Sequence, residues 1–290
     1  MRSSLPDFPW DALAPYGDKA RAHPGGIIDL SVGTPVDPTP EFIQQVLKDS
    51  SNSPSYPVTM GTPELRAAIT QWAKDNLGAI GDFGVLPLIG SKEFVAWLPT
   101  FLTSSTVLYP AVAYPTYLVG AMLAKASHTA VDIDASQWPQ ADLAWVNSPS
   151  NPTGAVYSPA EVKAIGEWAV ANGIWVITDE IYEHLVYGDA QFASMPALVP
   201  ELANTCIVVN GVAKTYAMTG WRVGWLIGPA DIVKGATNLQ SHATSNVANV
   251  SQVAALAAVT GNLDAVNEMK VAFDRRRKLI TGMLDVIPGV

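Results

Sequence analysis

From residue 41 onward the chain alternates between helical periodicity and short β-branched runs, and this alternation restricts the possible folds more than any other feature. The spacing predicts helices at Glu41–Asp49, Pro63–Leu77, Lys92–Leu102, Tyr117–Lys125 and Pro159–Ala171, the last opened by Ser158-Pro159 ahead of Glu161. Strands are predicted at Val85–Ile89, Thr106–Tyr109, Thr129–Ile133, Leu143–Val146, Ile174–Thr178, Ile207–Val209 and Val223–Ile227. Apolar strands separated by helix-length crossovers build a mostly parallel sheet covered on both faces, an α/β architecture. Residues 246–290 read as almost entirely helical, with a charged helix from Leu263 to about Val286 that contains Arg275, Arg276 and Arg277. Residues 1–40 are rich in Pro and Gly, hold one apolar run (Ile27–Val32), and read as an arm that crosses or packs on something else.

Of 290 residues 49% are hydrophobic, enough for a large core and for one big domain plus part of another. The net charge of −9 argues against nucleic acid or an anionic membrane as a partner, although local cations can still hold a small anion. The opening MRSSLPDFPWDALAPYG has prolines and acids where a signal peptide would be apolar, and no apolar run is long enough to span a bilayer. With one cysteine, Cys206, no intrachain disulfide can form, and a reducing, cytoplasmic setting is expected. His23, His128, His184 and His242 are scattered without HExxH or a cysteine pair, so no metal site is expected. Neither GxSxG nor GxGxxG occurs.

Three segments at strand ends carry chemistry. In GVAKTYAMTGWRVG (residues 211–224) Lys214 follows the apolar strand Cys206–Asn210, which places an amine at the carboxyl edge of the sheet. Gly211 and Ala213 leave room beside it, and Arg222 can clamp a phosphate through two N–H groups. In TDEIYEHLVYG (178–188) Asp179 ends a strand and can pair with a protonated ring nitrogen, while the Tyr182 phenol can reach a ring oxygen. NSPSNPTG (147–154) is a polar turn after a strand, and its Asn151-Pro152 step is a candidate cis bond that would hold the amide in place.

Together these segments resemble the class I/II aminotransferases, the fold-type I pyridoxal-phosphate (PLP) enzymes, and the lysine segment fits the attachment signature of that family. The resemblance covers essentially the whole chain. It implies a seven-stranded, mostly parallel sheet sandwiched by helices, with a small domain built from both chain ends. The expected divisions are an arm at 1–40, a large cofactor domain at 41–262, and an interdomain helix with the start of the small domain at 263–290.

The resemblance also implies roles. Lys214 would carry the cofactor and shuttle the proton, Asp179 would pair with the pyridine nitrogen, and Tyr182 and Asn151 would bond the ring oxygen. Tyr114, in AYPTY, would stack on the ring. Gly90, Ser91 and Lys92, in LIGSKE, would offer backbone N–H groups to the phosphate, with Arg222 completing that site. Tyr56, in SYPVTMG, would reach the phosphate of a partner subunit, implying a homodimer. Gly33, in LSVGTP, and Asn151 would contact substrate. An amine of ordinary pKa, about 10.4, is a poor nucleophile at neutral pH, and attachment to the cofactor supplies a more usable group.

The chain departs from the family pattern in three ways. Gly211 stands where many members have a phosphate-binding serine. The ending Ile287-Pro288-Gly289-Val290 reads as a turn into a further strand, so the segment that supplies the α-carboxylate arginine is expected to be missing. The halves also differ. Residues 1–150, with FPWDALAPYGDKA and LIGSKEF, resemble actinobacterial N-succinyldiaminopimelate aminotransferases. Residues 151–290, with ITDEIYEHLVYG and VNGVAKTYAMTGWRVGW, resemble actinobacterial aspartate aminotransferases.

The expected activity is ping-pong transfer of an amino group between an acidic amino acid (N-succinyl-diaminopimelate, on the path to lysine, or aspartate) and 2-oxoglutarate. The alternatives are a truncated or composite PLP-binding fragment with little or no turnover, and decarboxylase or lyase chemistry on the same fold.

Overall fold

The computed structural model describes residues 5–79 and 81–289. Met1–Ser4, from the opening segment, together with Ile80 and the final residue of the expected turn, Val290, lie outside the described residues.

The strands are β1 (Gly84–Leu88), β2 (Thr106–Pro110), β3 (Ser127–Val131), β4 (Leu143–Asn147), β5 (Trp175–Asp179), β6 (Cys206–Gly211) and β7 (Gly224–Gly228). They form one seven-stranded sheet in the order β1-β7-β6-β5-β4-β2-β3. The five strands from β6 to β3 are mutually parallel, whereas β7 pairs antiparallel with both β6 and β1. Because β7 alone runs backwards, its amino end lies at the same edge as the carboxyl ends of the other six. Residues just before Gly224 therefore join the strand-end loops, and Arg222 is one of them.

The helices are α1 (Ala14–Arg21), α2 (Glu41–Asp49), α3 (Pro63–Leu77), α4 (Lys92–Phe101), α5 (Thr116–Leu123), α6 (Pro159–Asn172), α7 (Met195–Leu198), α8 (Val212–Thr215), α9 (Ala230–Ala243), α10 (Asn249–Thr260) and α11 (Asp264–Leu284). Local signals account for several ends. Thr62 accepts from the Leu65 N–H at the start of α3, and Gly78 ends it in the left-handed region. Ser158 and Glu161 form a reciprocal capping box on α6, with the Ser158 N–H 2.7 Å from Glu161 Oε2.

Alternate strand residues point to opposite faces. On one face Leu143, Trp145, Ile177 and Leu226 meet Phe94 and Leu98 of α4, Tyr117 of α5 and Val233 of α9. On the other, Ala144, Val146 and Val176 meet Val162 and Ile165 of α6, while Trp225 and Ile227 meet Leu65 and Ile69 of α3 and the alanines of α10. β4, β6 and β7 are buried along their whole length, as a sheet covered on both faces requires.

Two differences from the sequence expectation have physical causes. β3 begins two residues before the expected Thr129, because pairing with β2 starts at Ser127 while only Val131 of the strand is buried. An edge strand has little apolar pattern to read. α1, α7, α8 and α9 fall outside the helices that the spacing predicts. α9 fills the groove beside β1, burying Val233, Ala236, Thr237 and Gln240, of which half are polar. The Ile27–Val32 run forms no strand, and Ile28, Leu30 and Val32 are exposed.

Candidate active site

Six chain segments meet at the common edge of the sheet and enclose a cavity of about 180 Å³. Gly90, Ser91 and Lys92 follow β1, and Tyr114 follows β2. Asn151 follows β4, Asp179 and Tyr182 sit at the end of β5, Lys214 follows β6, and Arg222 precedes β7. The crevice beyond the carboxyl ends of parallel strands is where open α/β sheets bind ligands. Nine of the residues expected from sequence thus line one space.

Lys214 sits on α8, one short turn beyond β6, with its ammonium 5.8 Å from the centre of the Tyr182 ring and 3.2 Å from the Gly33 carbonyl it bonds. Burial, then the nearby Arg222 charge, lower its pKa. Gly33 is held there because the arm drapes over this turn, with Thr39 Oγ1 donating to the Ala217 carbonyl at 2.8 Å and Thr34 meeting Thr219 at 3.1 Å.

Asp179 is buried at the base of the cavity. Its Oδ2 accepts from the Tyr117 hydroxyl at 2.9 Å and its Oδ1 from the Ile181 N–H at 3.3 Å. Desolvation dominates and pushes its pKa up to about 6, against those two hydrogen bonds and the Lys214 charge. A carboxylate offers about four acceptor positions, so room remains for a further donor from the cavity. Burial, followed by the charge of Asp179, also pushes the Tyr182 phenol upward, so it is protonated and able to donate.

The end of the cavity between β1 and β7 is built from glycines. Gly90 has φ +69°, and a Cβ there would overlap the Arg222 guanidinium. Arg222 is itself in the left-handed region (φ 57°), with Nη1 donating to the Thr219 carbonyl at 2.9 Å. The Gly90 N–H is engaged by the Leu88 carbonyl at 2.7 Å, so Gly90 contributes space where an N–H donor was expected. Ser91 and Lys92 open α4, where first-turn N–H groups lack intrahelical partners. The Lys92 ammonium lies 4.1 Å from the Phe8 ring centre and 5.9 Å from that of Tyr114. Three cations therefore face one buried carboxylate, a local balance suited to an anion despite the acidic chain.

Gly211 has a steric role. A Cβ on it would lie 2.7 Å from Gly224 Cα and 2.8 Å from the Val223 carbonyl oxygen. One on Gly224 would lie 2.5 Å from the Ser91 nitrogen. This glycine pair lets β6, β7 and the start of α4 close on one another. Gly211→Ser is accordingly expected to lower stability by about 1–3 kcal/mol, as overpacking does. Denaturant titration would check this, and a phosphate affinity equal to or below that of the parent is expected.

Asn151 is held by its neighbour Asn147, whose Oδ1 accepts the Asn151 N–H at 2.8 Å while Nδ2 donates to the Asp179 carbonyl at 2.9 Å. Both Asn151-Pro152 and Ser148-Pro149 are cis. Tyr114 packs edge-on against Tyr117 at the cavity wall. Tyr56 is not in the cavity and is 93% exposed.

Sequence reasoning missed Tyr117, Asn147 and Thr219. AYPTY contains two tyrosines, and nothing local says that the second bonds Asp179 and stacks on Trp145 (4.8 Å between ring centres). In sequence Asn147 reads only as the first residue of the polar turn after Val146, whereas the structure makes it the last residue of β4. Among the described residues no three His, Cys, Asp or Glu side chains gather as a metal site, and no helix is long and apolar enough to cross a membrane.

The sequence profile of the family described as aminotransferase class I and II matches residues 25–290. An aspartate aminotransferase of Streptomyces avermitilis is 48% identical over 94% of this chain and 71% of its own length. The 4-dedimethylamino-4-oxo-anhydrotetracycline transaminase OxyQ of Streptomyces rimosus is 35% identical over 96% of this chain and 79% of its own. Among solved structures, the aspartate aminotransferase of Rhizobium meliloti superposes with a TM-score of 0.88 at 30% identity, covering 99% of this chain and 76% of that one.

Proposed function

The chain belongs to the class I and II aminotransferases, PLP-dependent transaminases acting on amino and 2-oxo acids, and from that premise we propose that it moves an amino group between an acidic amino acid and 2-oxoglutarate. The observation that carries this reading is the convergence of a buried carboxylate, a lysine of lowered pKa and an arginine–glycine cradle in one cavity.

The residues fit the cofactor. Bound PLP supplies an electron-accepting ring that stabilises charge developing on the α-carbon of the substrate. Lys214 would hold the cofactor, and its amine would be placed to move a proton at that α-carbon. Asp179, when ionised, would hold a proton on the ring nitrogen. Tyr182 and Asn151 would be the donors to the ring oxygen, and Tyr114 would line the ring's side of the cavity. Arg222 and the Ser91 and Lys92 N–H groups bind phosphate.

Lys92 supports an acidic donor. It lines the cavity, and among the described residues it has no carboxylate within ion-pair distance. Aspartate is the donor named for the Streptomyces avermitilis relative, while N-succinyl-diaminopimelate, which would imply a place in lysine biosynthesis, rests on the resemblance of residues 1–150 alone. Exposed Tyr56, Val58 and Met60 support a homodimer in which Tyr56 serves the neighbouring site. Cys206, buried and free, is consistent with a cytoplasmic setting.

A second reading, a cofactor-binding module of little turnover, is favoured by one observation. Arg222 is the only arginine among the described residues lining the cavity, and it is committed to the cradle. Absorption spectroscopy of the PLP-loaded protein separates the two. Loss of the visible band on adding aspartate or N-succinyl-diaminopimelate, with its return on adding 2-oxoglutarate, is expected of a ping-pong enzyme. A band indifferent to every donor would leave the module reading.

A further inference from the structure

β5 is flanked by two strands that each carry a buried asparagine at the carboxyl end, the last residue of β4 and the last but one of β6, and the two side chains do matching work. Asn147, on the β4 side, ties the Asp179 carbonyl to the Asn151 turn. Asn210, on the β6 side, is fully buried. Its Nδ2 donates to the Glu180 carbonyl at 3.0 Å and to Glu183 Oε2 at 2.9 Å, while its Oδ1 accepts the Gly211 N–H at 2.6 Å. Gly211 leads directly into α8 and Lys214. Only a carboxamide can accept from one turn and donate twice to the other.

Resting on the reading that Lys214 is the reactive amine, we propose that Asn210 and Glu183 are positioning residues, whose buried hydrogen bond holds the Lys214 turn in register with Asp179 and Tyr182. Neither touches the cavity. They act by joining the two turns that carry its amine, carboxylate and phenol.

The charges around Glu183 fit a neutral acid in this role. Asp179 and Glu180 share its turn, and Glu180 accepts from Ser194, Thr178 and the Met195 N–H. Glu183 accepts from the Asn210 amide and from its own backbone N–H, and burial pushes its pKa up to about 8, with the Glu180 and Asp179 charges adding to the effect. Tyr216 faces it from the loop after α8, with a phenol that burial raises to about 12. His184 lies with Nε2 3.5 Å from Glu183 Oε1, kept neutral by burial and by the charge of Lys270. That nitrogen is buried and has no hydrogen-bond partner, so a Glu183 O–H pointing toward it would use an otherwise idle acceptor. The Cys206 thiol is buried near Glu180, and the Lys214 charge lies beyond Asp179.

The test compares Asn210→Asp, Glu183→Ala and Glu183→Gln with the parent. Three readouts are needed: kcat and KM of the loaded enzyme, the melting temperature, and the pH profile of Lys214 acylation in the cofactor-free protein followed by mass spectrometry. Asn210→Asp keeps the bond from Gly211 but cannot donate. It and Glu183→Ala are expected to lower kcat about 10- to 100-fold, the scale of an ångström-sized misplacement. KM should stay within about threefold, and the acylation profile should move toward higher pH as the amine gains solvent. Glu183→Gln, which can still accept from Asn210, is expected to restore most of kcat and the parental profile.

A lowered melting temperature with unchanged kcat and acylation profile in Glu183→Ala would overturn the proposal and leave a purely structural pair. If Asn210→Asp does not fold, the two Glu183 variants decide alone. If the parent converts no donor, the functional reading has failed, and the acylation profiles still report whether the clamp sets the amine.

Discussion

Lys214→Ala is expected to abolish turnover, with a loss on the order of 10⁶-fold, the scale seen when a covalent catalyst loses its reacting group. The same variant should show no visible band on addition of PLP, although phosphate affinity persists through Arg222 and the start of α4. The fold should be little affected. Lys214 makes one side-chain hydrogen bond, to the Gly33 carbonyl at 3.2 Å, and the apolar residues around it on α8, Val212 and Ala213, pack without it. A difference spectrum and a thermal melt of the cofactor-free proteins together check both halves of this expectation. An activity within tenfold of the parent would mean that the amine at the end of β6 is not the reacting group.

The second large effect belongs to Asp179. Asp179→Asn keeps an oxygen for the Tyr117 hydroxyl but removes the negative charge, and kcat should fall about 10²- to 10³-fold, as when a fixed electrostatic partner is removed from a closed site. The pH dependence gives a sharper signature. Burial raises the carboxyl from its ordinary 3.8 to about 6, so in the cofactor-free protein it becomes ionised only as pH rises through about 6. Cofactor loading, which needs the ionised form, should strengthen across that interval in the parent and lack that rise in the variant. Stability moves the opposite way. A raised folded pKa means that the folded chain holds the proton more tightly than the unfolded one, so the contribution of Asp179 to stability declines as pH climbs from about 4 to about 6 and then levels. Asp179→Asn should flatten that part of the melting curve. Loading measured by fluorescence and melts at several pH values would test both signs, and identical profiles for parent and variant would refute the assignment.

Much of the architecture is legible in the sequence because its signals are local. Ser158, Pro159 and Glu161 announce the start of α6, and Thr62-Pro63 the start of α3, since caps involve residues within one turn. The order of helices and strands follows from periodicity, and a polar residue at the end of an apolar strand is visible one residue at a time. This is why Lys214, Asp179, Asn151, Tyr182 and Arg222 could be named before any coordinates, and why they do share a cavity.

The remainder depends on which strands pair and which side chains lose water. The reversal of β7 brings Arg222 to the same edge as Lys214, and β7 sits beside β1 although almost the whole sheet separates them in sequence. Gly211 looks in sequence like a lost phosphate contact. Only pairing with Gly224 and the approach of Ser91 make it a place where no side chain fits. Tyr117, Asn147 and Asn210 lie inside recognisable segments, but nothing local reveals their roles, because their work is done through hydrogen bonds to residues brought near by the sheet. Composition, periodicity and strand-end chemistry thus determine the kinds of elements and the reactive groups, since these depend on neighbours along the chain. The tertiary structure decides which groups face one another, which are buried, and hence which carboxyls hold their protons, since desolvation and packing depend on neighbours in space.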